Sequence, residues 1–118
     1  MARILFVDDR PQEILRLWQC SGCESNHELL PLAPFNSLEE TRQSVRDLCP
    51  DVVVVGYGLG KLGVTGADII QSLREGGYIG CIIANSGGGR RAFDRTAVAV
   101  DGYADRNPHE LKRILDQL

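Results

Sequence analysis

The chain has 118 residues, 43% of them hydrophobic and 25% charged, with a formal net charge of -3. This length suits one compact domain that buries about two-thirds of its unfolded surface. The weak negative charge argues against general nucleic-acid binding, which calls for a basic footprint. No apolar run approaches the roughly 20 residues of a membrane span. In MARILFVDDRPQ the apolar run meets two aspartates too soon for a signal peptide. The expected setting is therefore the cytoplasm, with no membrane association and no direct nucleic-acid contact.

Residues 3–7 (RILFV) read as a short apolar strand, β1, that stops at Asp8-Asp9. Pro11 opens a helix, α1, over about 11–20, because proline in the first turn wastes no hydrogen bond. Ile14, Leu15, Leu17 and Trp18 fall on one side of it. ELLPLA at 28–33 is a weaker strand, β2, and Pro31 removes a ladder donor, which places it at an edge. Ser37-Leu-Glu-Glu40 is a capping-box pattern. It opens α2 over about 38–48, with Leu38, Val45 and Leu48 as the apolar stripe and Pro50 beyond its end.

Val52–Val55 is the clearest strand, β3. Four apolar residues without alternation imply burial on both faces, as at the centre of a parallel sheet. A glycine-rich loop is expected over 56–64. Thr65 and Asp68 then cap α3, whose apolar set is Ala67, Ile69, Ile70 and Leu73, and Gly76-Gly77 end it. IGCIIA at 79–84 is β4, ending at Asn85-Ser86. Residues 90–96 form a poorly marked α4. Val98–Tyr103 contains a short β5 interrupted by Asp101 and Gly102. Asn107-Pro-His-Glu110 caps α5, which runs to Leu118.

Strand and helix alternate five times, and crossovers of this length favour parallel strands joined right-handedly. The expected fold is a five-stranded, doubly wound (βα)5 α/β domain over 1–118. No linker, repeat or low-complexity segment interrupts it.

The four cysteines are Cys20, Cys23, Cys49 and Cys81. Cys20-Ser-Gly-Cys23 has CxxC spacing, but a structural zinc needs four ligands and there is no second CxxC. His27 and Cys49 could complete a site only by chance of folding. At a helix C-terminus the pair is also poorly placed to form a thiolate. Cys81, inside an apolar run, reads as a small core residue.

Ligands of open α/β sheets bind beyond the carboxyl ends of the strands. The loops there bring Asp8 and Asp9, then Gly56 and Tyr57, then Asn85 and Ser86, then Asp105 and Arg106. Adjacent aspartates are a candidate magnesium site, since magnesium takes oxygen ligands. The competing role is structural, because an aspartate also caps a helix and meets its positive end.

ILFVDDRP, PDVVVV followed by VTGADIIQSLR, and VDGYADRNPHEL together resemble the receiver domain of two-component response regulators, the CheY-like family. The likeness runs along essentially the whole chain. It implies the flavodoxin-like receiver fold and a place in a phosphorelay. In that family an aspartate at the end of the third strand accepts a phosphoryl group, with magnesium nearby. Counted from Pro50-Asp51, the acceptor position falls on Gly56, which has no nucleophile. Asp51 starts the strand, about 15 Å away at the usual rise, and cannot replace it. The family's switch hydroxyl falls on Asn85, or on Ser86 if the register slips by one. Its lysine falls on Arg106, whose planar fork is not an ammonium. The acidic pair is kept as Asp8 and Asp9, and Tyr103 matches the aromatic switch position.

Phosphoryl transfer through a covalent intermediate needs an acceptor, a cation and a countercharge. With the acceptor replaced, the resemblance implies a non-enzymatic pseudo-receiver that requires no cofactor, with magnesium at Asp8 and Asp9 weakened. It would act through protein contacts, with a kinase, an output regulator or a second copy as partner. The family's signalling face would include Arg90, Arg91, Arg95, Tyr103 and Arg113. The alternative is a small-anion or nucleotide binder that uses the glycine loops GYGLGKLG and NSGGGR. Arg90 and Arg91 near a helix start favour an anion. Neither loop matches GxGxxG or a Walker motif in its proper context.

Overall fold

The computed structural model describes residues 3–8, 12–13, 16, 19, 28–32, 38–56, 65–85, 100–104 and 113. Five strands, β1 Arg3–Val7, β2 Glu28–Leu32, β3 Val52–Gly56, β4 Cys81–Asn85 and β5 Gly102–Ala104, form one sheet. All pairs are parallel, in the order β2-β1-β3-β4-β5. That is the second common doubly wound order, with its switch point between β1 and β3. Pro31 lies on the edge strand, as its missing donor requires.

Side chains alternate across a strand, so the register sorts the core into two faces. Leu5 pairs with Val53 and Val53 with Ile82. These three, with Val7, Val55 and Ala84, pack against Val45 of α2 (Leu38–Leu48) and Ala67, Ile69, Ile70 and Leu73 of α3 (Gly66–Glu75). On the opposite face Ile4, Phe6, Val52, Val54 and Ile83 are buried as well. Both faces are therefore covered, and this is why the strands read as unbroken apolar runs. Gln12, Glu13, Arg16 and Gln19 are helical and exposed, a polar stripe on α1. Arg113 is helical and exposed.

The ends of α3 follow from its sequence. The Thr65 side chain accepts from the Asp68 N–H, and the Asp68 carboxylate accepts from the Thr65 N–H at 2.8 Å, closing a capping box. At the other end Gly77 takes φ +93, which glycine adopts without strain. Its N–H donates to the Arg74 carbonyl at 3.1 Å and that of Tyr78 to the Leu73 carbonyl at 3.0 Å. This is a Schellman turn, with Tyr78 packed against the core beside Leu73.

Three boundaries differ from the sequence reading. Gly56 does not open the loop; it is the buried last residue of β3. β4 starts at Cys81 rather than Ile79, because the Schellman turn carries the chain outward and leaves Ile79 95% exposed. Asp101 does not interrupt β5 but anchors its start. Its carboxylate accepts from the Ile82 N–H at 2.8 Å and from Arg74 at 2.9 Å. The Ser37 cap, α4 and the CxxC pair lie outside the described residues.

The amino edge of the sheet is tied by Arg3 and Asp51. The Arg3 N–H donates to Asp51 at 2.8 Å, and its guanidinium reaches the Leu48 carbonyl at 2.6 Å and Glu28 at 3.1 Å. Asp51 thus has a structural task at the end of β3 remote from Gly56. Cys81 is half-buried rather than fully in the core, and burial, with the Asp101 charge as the next cause, pushes its thiol up to about 11. Cys49 is exposed at the end of α2.

Candidate functional site

The carboxyl edge of the sheet is set by register. Val7 pairs with Val55, so Asp8, one residue on, comes level with Gly56, and Gly56 pairs with Asn85. Asp8, Gly56 and Asn85 share the parity of Phe6, Val54 and Ile83, so the three form a row on one face of the sheet. Asn85 in turn pairs with Ala104 of β5. The last residues of β3, β4 and β5 and the residue after β1 therefore meet at one edge, at the switch point where such folds hold ligands.

The row is closed rather than open. Asp8 is 2% exposed and Asn85 4%, and neither is without a partner. The Asp8 carboxylate leans over the Gly56 α-carbon. A β-carbon built on Gly56 would collide with Asp8 Oδ2 and lie 3.1 Å from its Cγ and 3.6 Å from the Asn85 carbonyl oxygen. Real β-carbons do not approach so closely, so the Asp8 side chain uses the space that glycine leaves. Sequence reading placed both residues at this edge but missed the contact. No local pattern encodes it, because 48 residues separate the two.

The chemistry available is limited accordingly. The centre of the row offers no nucleophile, and the carboxylate beside it is buried against backbone. Magnesium binding usually uses one or two carboxylates together with phosphate oxygens. The described row supplies one carboxylate and one amide, and the position between them supplies none. Asp9, the other residue expected to hold the ion, lies outside the described residues. Among the described residues no three His, Cys, Asp or Glu side chains cluster as metal ligands do.

Asp9, Ser86 and Arg106 lie outside the described residues, as do Arg90, Arg91, Arg95 and the glycine loops over 57–64 and 86–89. Tyr103 is the middle residue of β5, paired with Ala84. No helix among the described residues is long and apolar enough to cross a membrane.

No protein-family model matches the sequence, and no curated protein matches it significantly. Solved structures do match. A two-component response regulator of the LuxR family from an Aurantimonas species has a TM-score of 0.80 at 22% identity, covering 99% of this chain and 84% of that one. The response regulator protein TrrA from Thermotoga maritima, solved in complex with Mg(2+)-BeF, has a TM-score of 0.77 at 24% identity and covers 99% and 98%. A CheY-like receiver domain protein from Methanospirillum hungatei has a TM-score of 0.71 at 16% identity and covers 99% and 92%. With the strand order, the two covered faces and the row at the carboxyl edge, these likenesses lead to one conclusion: the chain has the fold of response-regulator receiver domains.

Proposed function

We propose that residues 1–118 work as a phosphorylation-independent regulatory module in a two-component signalling setting, acting through protein contacts. The observation that carries this reading is the Asp8 carboxylate lying in the space above Gly56, where an acceptor side chain would have to begin. What supports the signalling setting is the likeness of fold to response regulators along 99% of the chain. A kinase, an output regulator or a second copy of the chain is the partner class. Arg113, exposed on α5, belongs to the contact face together with Arg90, Arg91, Arg95 and Tyr103. The module catalyses no reaction and needs neither magnesium nor another cofactor.

Nuclear magnetic resonance with magnesium and beryllium fluoride, a phosphoryl mimic, tests this reading. The expected spectrum keeps the amide positions of Asp8, Gly56 and Asn85 unchanged. A saturable second set of peaks centred on those residues would overturn the reading.

A further inference from the structure

A cavity of about 250 Å³ opens between the C-terminal half of α2 and the Schellman turn after α3. It lies at the amino edge of the sheet, at the opposite end of β3 and β4 from the row at Asp8. Val45, Leu73 and Ile79 give it an apolar wall, and Arg42 and Arg46 give it two cations. The arginines stand at i and i+4, on one face of α2. We propose that this cavity binds a small monocarboxylate with a short aliphatic or aromatic body.

Three observations converge on that class. The Nε of Arg42 is buried and has no hydrogen-bond partner, which is rare because an unmade buried donor costs free energy that an acceptor would return. Arg46 makes only a long bond, Nη2 to the Gly76 carbonyl at 3.5 Å. Among the described residues neither arginine is paired with a carboxylate. Asp47 and Glu75 on the same helices have other partners: Gln43 donates to Asp47 at 2.9 Å and Gln71 to Glu75 at 3.1 Å. Meanwhile Ile79 is 95% exposed at the cavity's rim, an apolar surface that a ligand body would cover. A guanidinium fork matches a carboxylate in shape and charge. The volume lies just below the usual range of ligand pockets, roughly 300–1,000 Å³, which excludes a nucleotide and limits the body to roughly ten heavy atoms. This site is independent of the reading at Asp8 and Gly56.

Titration of the ¹⁵N-labelled protein with octanoate, octan-1-ol and acetate tests the proposal. Octanoate is expected to shift the Arg42 Nε–H and the amides of Arg46, Gly77 and Ile79 saturably. Octan-1-ol, lacking the charge, and acetate, lacking the body, bind at least about tenfold more weakly. Arg42→Gln weakens octanoate by roughly tenfold. Ile79→Ser, at a position too exposed to disturb folding, weakens it severalfold. Absence of saturable shifts, equal binding of the alcohol or of acetate, or unchanged affinity in Ile79→Ser would overturn the proposal.

Discussion

The Asp8 carboxylate occupies the space that a β-carbon on Gly56 would fill. Gly56 ends β3 and Asp8 follows the end of the neighbouring β1, and the glycine is what lets the carboxylate settle inward. Gly56→Ala therefore forces Asp8 to move. It is expected to destabilise the fold by about 1–3 kcal/mol, the usual cost of overpacking. In an Asp8→Ala background the same change has its space vacated. The double mutant should be more stable than the sum of the singles predicts, by about 0.5–3 kcal/mol of coupling. Urea denaturation of the four proteins measures this.

Thr65→Ala removes one half of the capping box at the start of α3. The expected loss is about 1 kcal/mol with an unchanged denaturant slope, because only the cap is lost. Guanidinium melts of the two proteins check it.

Asp101→Ala breaks the bonds to the Ile82 N–H and to Arg74 that anchor β5 on β4. The expected loss is about 1–3 kcal/mol, since a backbone donor at the start of β4 is left unmet. Asp101→Asn keeps an acceptor but drops the charge, and should fall between the two. Hydrogen exchange at Ile82 should accelerate in both.

Much of the fold was legible because its signals are local. Val52–Val55 needs burial on both faces, Thr65 with Asp68 fixes a helix start, and Pro31 belongs at an edge. The start of β4 was misread because Ile79 is apolar, and apolarity alone cannot tell a buried strand residue from one carried outward by a turn. Asp101 looked like an interruption because a carboxylate in a strand is costly unless a backbone N–H meets it, and that donor lies on another strand. The row at the carboxyl edge was named residue by residue, yet the closure of Asp8 over Gly56 depends on register between β1 and β3. The cavity beside Arg42 went unseen for the same reason: it forms only when α2 and the turn after α3 are brought together.

Stability should also fall in alkali. Burial raises the Tyr78 hydroxyl from 10.0 to about 12, with the neighbouring Cys81 adding to the shift. The unfolded chain then loses its proton first, so the contribution is intact below pH 10 and is lost as pH rises toward 12. Cys81, raised from 9.0 to about 11, adds the same sign from pH 9 upward. Tyr78→Phe gives up the bond to the Pro50 carbonyl at 3.2 Å. It should therefore melt lower at pH 7 and show a flatter decline above pH 10. Thermal melts from pH 7 to 11 read both effects.

With glycine at position 56, this receiver fold is proposed to have no working phosphoacceptor. Intact-mass measurement after incubation with acetyl phosphate and magnesium decides this. The expected result is an unchanged mass; a persistent gain of one phosphoryl group, mapped to Asp8 or Asp9, would show a working acceptor.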